Sequence, residues 1–196
     1  NWAGTRSVKC SSITRAWPMY PWDGKNIYFM GFMGTGKSKV GRAFARLLGW
    51  PFADSDDLIV ARAGMPVDEI FRQRGEEGFR ALEDEIVDEI SRRSQWVISL
   101  GGGAVMREGN WQKLDASGVT ICLEASLEVL TRRLGRKNDR PLVRGLTGEA
   151  LASRITELYT LRAPVYARAH YHFESFEEVT AADLAEQIFL YLRDEP

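Results

Sequence analysis

A chain of 196 residues with 44% hydrophobic side chains suits one α/β domain with a proper core. Its formal net charge of −1 argues against a dominant nucleic-acid footprint, and no apolar run approaches the roughly 20 residues that span a bilayer. Cys10 and Cys122 are distant thiols with neither metal-ligand spacing nor a disulfide framework, so a reducing compartment, the cytoplasm, is the default.

The opening stretch, NWAGTRSVKCSSITRAWPMYPW, carries Arg6, Lys9 and Arg15 and no acid before Asp23. It starts with Asn, so a processed or fragmentary chain is expected. Residues 1–24 read as an N-terminal extension; the alternative is the remnant of a basic, Ser-containing targeting segment, which would direct the protein to a plastid. The aromatic and proline cluster at 17–22 is expected on the surface of the domain at 25–196.

Five short β-like runs then alternate with helical stretches: NIYFMG (26–31), PFAD ending at Asp54, WVISLGGG (96–103), GVTICLE (118–124) and YHFES (171–175). Strands alternating with helices predict βαβ units and a parallel sheet. Val40, Phe44, Leu47 and Leu48 recur at helical spacing, as do Leu82, Ile86 and Ile90, and Leu184, Ile188 and Leu192, so each set predicts a core-facing stripe. Thr180 with Asp183 three residues on predicts a capped start for the last helix.

The first strand runs into Gly31-x-x-x-x-Gly36-Lys37-Ser38, a complete P-loop pattern between an apolar strand and an amphipathic helix. Glycines let the backbone curl so that successive N–H groups face oxyanions, and the helix adds its N-terminal partial charge. The nucleotide-binding set is Gly34, Thr35, Gly36, Lys37, Ser38 and Lys39. Lys37 reaches the β- and γ-phosphates, and the Ser38 hydroxyl can ligand Mg²⁺.

After the second strand comes ADSDD, with Asp54 and Asp56 at the strand end, where open α/β sheets bind ligands. One carboxylate can serve the Mg²⁺ shell and the other an acceptor hydroxyl; a helix N-cap cluster is the alternative, preferred for Asp57. Arg80 precedes Glu83 by three residues and shares a helix face with it. Arg162 stands two residues before Pro164. Gly101, Gly102 and Gly103 end the third strand and permit close backbone approach to a ligand, though a bare tight turn is equally consistent. The basic, glycine-containing segment 134–149 reads as a functional loop, and Arg140 on such a loop suits the charge of a phosphoryl group in transfer.

In order and spacing, GFMGTGKS, D-S-D, GMPVDEIFRQRGEEGFRALE, LGGGA, RPLV and RAPVY resemble the shikimate kinases from about Lys25 to Leu192. Only RPLV, where RPLL is usual, and Pro66 depart from the pattern, and neither removes a charge. The resemblance implies a three-layer α/β/α P-loop kinase with a five-stranded parallel sheet, a small acceptor-binding segment at about 55–90 and a mobile lid at about 134–149. It implies ATP-dependent phosphorylation of the 3-hydroxyl of shikimate, with Mg²⁺, by a monomer. In it Lys37, Asp56 and Arg140 are catalytic. Ser38 and Asp54 serve the metal, Asp54 through water. Asp56, Arg80, Glu83, Gly102, Gly103 and Arg162 bind shikimate, the two arginines gripping its carboxylate. Arg133 lies beside adenine, and Arg140 reaches the transferring phosphate from the lid. The competing expectations are a gluconate-type kinase on the same fold and a nucleotide-binding regulatory protein without turnover.

Overall fold

The computed structural model describes residue 22, residues 24–136 and residues 141–194. Five strands, β1 (Asn26–Met30), β2 (Phe52–Asp54), β3 (Val97–Ser99), β4 (Gly118–Glu124) and β5 (Tyr171–Glu174), form one parallel sheet in the order β2-β3-β1-β4-β5. Each expected run contains its strand. The third is shorter than its apolar pattern, because the chain leaves the sheet after Ser99 and turns through the three glycines.

The helices are α1 (Lys37–Leu48), α2 (Ser55–Ala63), α3 (Val67–Ser91), α4 (Glu108–Ser117), α5 (Leu127–Arg136), α6 (Gly148–Tyr166) and α7 (Ala181–Asp194). Period-2 alternation sorts the strands between two cores. Ile27 and Phe29 of β1, with Ile121 and Leu123 of β4, meet α1 and α7 on one face; Phe29 and Phe44 pack edge to face at 5.5 Å. Tyr28 and Met30, with Cys122, face α2 to α6 on the other. Burying an aromatic side chain such as Phe29 contributes about 1.5–3 kcal/mol. Of the α1 stripe, Val40 and Phe44 are buried while Leu47 is exposed. Trp22 lies in the α1–α7 core, 1% exposed, so this member of the aromatic cluster is an interior residue; 17–21 lie outside the described residues.

Two local features aim the chain at the site. β1 is central, its crossovers run first to one side and then to the other, and its C-terminal end is therefore the switch point of the sheet. Gly31 follows at φ 129°, and a Cβ there would come 2.3 Å from the Leu123 carbonyl oxygen, which no side chain tolerates. Helix α3 breaks at Gly75 (φ 68°, ψ −174°), which separates a short first part from the longer one carrying Arg80 and Glu83.

Candidate active site

The phosphate loop closes on one oxygen. The Phe32 carbonyl accepts from the Thr35 hydroxyl (2.9 Å) and from Lys37 Nζ (2.9 Å), which draws the lysine back over the loop. Gly36 is the N-cap of α1, at φ 94°. Its carbonyl accepts from the N–H of Lys39, whose side chain points to solvent. Arg133 of α5 donates to the Gly34 carbonyl (3.0 Å), to Ser175 Oγ (3.1 Å) and to the Phe176 carbonyl (3.1 Å). It thereby clamps the P-loop to the turn after β5.

Beside the loop lies an all-oxygen corner. Ser38 Oγ is 3.3 Å from Ser99 Oγ, and Ser99 is the in-register partner of Asp54 on the neighbouring strand. Asp54 is also the N-cap of α2, where Oδ1 accepts from the Asp56 N–H (3.0 Å). The N-cap alternative thus holds for Asp54 itself, alongside its place at the strand end. Hard oxygen donors of this kind fit Mg²⁺, which binds through few protein ligands and keeps several waters.

The expected acceptor side is built on the glycine turn. A Cβ on Gly101 would meet Asp56 Oδ1 at 2.6 Å and Glu83 Oε1 at 3.3 Å. One on Gly102 would meet Arg162 Nη1 at 3.2 Å and Tyr166 Oη at 3.4 Å, and one on Gly103 would meet Arg80 Nη1 at 2.2 Å. The side-chain-free turn is what lets four charged groups from α2, α3 and α6 converge. Met33, Phe71, Phe79 and Leu142 supply apolar walls to the same cavity, and Pro141, next in sequence to Arg140 of the expected lid, lines it too. Arg140 itself lies outside the described residues.

These charges are interlocked. Arg80 Nη1 donates to Glu83 Oε2 (2.7 Å) and Nη2 to Glu76 (3.1 Å). Burial works against the Arg80 charge, but the two carboxylates outweigh it and its pKa is raised. Burial pushes the Glu83 carboxyl up to about 6; Arg80 pulls the other way, and the Asp56 and Asp84 charges add to the rise. Arg162 is 6% exposed, 5.8 Å from the centre of the Phe32 ring. Tyr166, one turn further along α6, donates to the Gly102 carbonyl (2.7 Å), and burial drives its phenol up to about 12.

The structure brings Asp56, Arg80, Glu83, Gly102, Gly103 and Arg162 together around one cavity, with Lys37, Ser38 and Asp54 at the adjoining strand ends. Three further residues shape the site. Ser99 completes the oxygen corner, Ser55 Oγ accepts from the Gly101 N–H (2.8 Å), and Tyr166 holds the Gly102 carbonyl. Tyr166 had a signal in its four-residue spacing from Arg162. Ser99 and Ser55 had only their places beside LGGG and within DSD.

The shikimate kinase family profile matches residues 33–193. A shikimate kinase of Thermodesulfovibrio yellowstonii is 41% identical over 164 residues, 84% of this chain and 92% of that one. Another, of Geobacter sulfurreducens, is 41% identical over 180 residues, 91% and 97% of the two chains. The solved structure of shikimate kinase from Acinetobacter baumannii in complex with shikimate is similar at TM-score 0.80 and 36% identity, covering 86% of this chain and 92% of that one.

Proposed function

This chain belongs to the shikimate kinase family, and from that premise we propose how its residues divide the work. The reaction is the ATP-dependent phosphorylation of shikimate, at its 3-hydroxyl, giving shikimate 3-phosphate and ADP on the way to aromatic amino acids. The observation that carries the assignment of residues is the convergence of two arginines, Asp56 and Glu83 on the side-chain-free turn at 101–103.

Shikimate is a carboxylate with three hydroxyls. The guanidinium forks of Arg80 and Arg162 match the carboxylate in a bidentate way that a lysine cannot copy. Glu83 holds Arg80 in position, and the turn at Gly102 and Gly103 lets the ring lie close to backbone. Asp56 accepts from the ring hydroxyls and takes the proton of the attacking one as the new O–P bond forms. Lys37 exchanges the Phe32 carbonyl for the β- and γ-phosphate oxygens, and the loop amides at Gly34, Thr35 and Gly36 cradle them. Arg140 brings its charge to the phosphoryl group in transfer. Arg133 keeps the nucleotide end of the site in shape through its bonds to Gly34 and Ser175. Ser38, Asp54 and Ser99 would hold Mg²⁺, Asp54 through water, and the ion would supply charge neutralisation to the phosphates. The acceptor-binding segment is 55–90 and the lid 134–149, within a domain at 25–196 that follows an extension at 1–24, whose Trp22 packs into the domain's core.

One chain supplies every group used, which supports action as a monomer. No helix among the described residues is long and apolar enough to cross a membrane. A buried free thiol such as Cys122 supports the cytoplasm as location.

Release of ADP from ATP and Mg²⁺, measured with shikimate, gluconate or a nucleoside monophosphate as acceptor, tests the reading. Release only with shikimate is expected. Preference for gluconate would move the chain to another small-metabolite kinase, and ATP binding without acceptor-dependent release would make it a regulatory protein.

A further inference from the structure

Fifty residues separate Cys122 from His172, but strand pairing erases the distance. The two are in-register partners on β4 and the edge strand β5, and Glu124 lies two residues along β4, on the same side of the sheet. One ligand atom from each of Cys122, Glu124 and His172 falls within 4.8 Å of the other two. His172 Nδ1 and Glu124 Oε1 are already 2.8 Å apart. Cys122 is buried at the inner end, Glu124 is half-buried and His172 is exposed, so the cluster opens outward at the sheet edge.

We propose that Cys122, Glu124 and His172 form a second cation site, for a borderline-soft divalent ion of the Zn²⁺ class, separate from the oxygen corner of Ser38, Asp54 and Ser99. The donor set is one sulfur, one nitrogen and one oxygen, the mixture that Zn²⁺ accepts and Mg²⁺ refuses. Metal–ligand bonds of about 2.0–2.3 Å in a tetrahedron put ligand atoms roughly 3.3–3.6 Å apart. The His172–Glu124 pair must therefore open slightly and the thiol close in. On binding, the Cys122 S–H gives its proton to solvent and the sulfur becomes a thiolate ligand. The ion takes the place of the hydrogen between Nδ1 and Oε1, and the neutral imidazole moves its one proton through solvent to Nε2. Thiolate and carboxylate together neutralise the ion, and water takes the open fourth position.

Co²⁺ is the probe, because thiolate ligation gives a near-ultraviolet sulfur-to-cobalt charge-transfer band that an all-oxygen site cannot produce. Titration of the full, reduced chain with Co²⁺ is expected to yield this band at one ion per chain, with displacement by Zn²⁺. Cys122→Ser should abolish it, His172→Ala should weaken Co²⁺ binding at least tenfold, and Cys10→Ser should leave it intact. Absence of the band, or its loss with Cys10→Ser rather than Cys122→Ser, would overturn the proposal. His172 is exposed, so His172→Ala keeps the test decisive if Cys122→Ser fails to fold by circular dichroism; unchanged Co²⁺ affinity in that variant also overturns it.

Discussion

At the scale of single residues, the proposed acceptor site rests on what its glycines leave out. A methyl group on Gly103 would occupy the place of Arg80 Nη1, the far end of a flexible side chain; on Gly31 it would strike a backbone carbonyl at a positive φ. Gly103→Ala is therefore expected to raise the shikimate KM while leaving the thermal midpoint nearly unchanged, and Gly31→Ala to destabilise the fold by several kcal/mol. Melting curves beside initial rates distinguish the two; an unfolded Gly103→Ala would show that the turn itself is strained. Arg162→Lys keeps the charge and loses the fork. Charged hydrogen bonds are worth about 1.5–3 kcal/mol, so the shikimate KM should rise roughly ten- to a hundredfold, and an unchanged KM would remove Arg162 from the acceptor grip. For Asp56→Asn, kcat should fall by about 10²–10⁴. If only the KM for ATP moved, Asp56 would belong to the nucleotide side.

At the scale of elements, local chemistry set most boundaries. Thr180 accepts from the Asp183 N–H (3.1 Å) and donates to its carboxylate (2.7 Å), the capping pattern visible in the sequence. Thr180→Ala should cost about 1 kcal/mol in urea unfolding, with kcat unchanged because α7 contributes nothing to the acceptor cavity. A fall in kcat would show that α7 is coupled to the site. The break in α3 was less legible: Gly75 lies in a run of good helix formers, and only its φ of 68° shows that the chain turns there. The third strand was overestimated for the opposite reason, since LGGG continues an apolar pattern that the sheet abandons at Ser99.

At the scale of the whole molecule, Glu83 links the site to stability. Its carboxyl is raised from the ordinary 4.5 to about 6, mainly by burial. Between those values the folded protein holds a proton that the unfolded chain has released, so stability from this group is full below about pH 4.5 and declines as pH rises through 6. The loss is on the order of 2 kcal/mol. Glu83→Gln should remove that decline: measured by urea unfolding at pH 4.5 and pH 7, the variant should lose less stability across the interval than the parent protein. An equal loss in both would mean that Arg80 compensates the buried charge fully.

The sequence by itself determined the chemistry available and the grain of the fold. The P-loop, the acids at 54 and 56, the arginines at 80 and 162 and the five apolar runs follow from local pattern, because phosphate binding, capping and strand alternation are governed by residues a few positions apart. The tertiary structure decided which of these groups meet. β3 inserts between β2 and β1 rather than beyond them, and that strand order puts Ser99 next to Asp54 and Ser38 and lays Gly101–Gly103 against Asp56 and Arg80. The pairing of β5 with β4 sets His172 beside Cys122 in the same way. Partners along a strand ladder are chosen by the packing of the whole sheet against its helices, and no short-range signal in a single sequence encodes that choice.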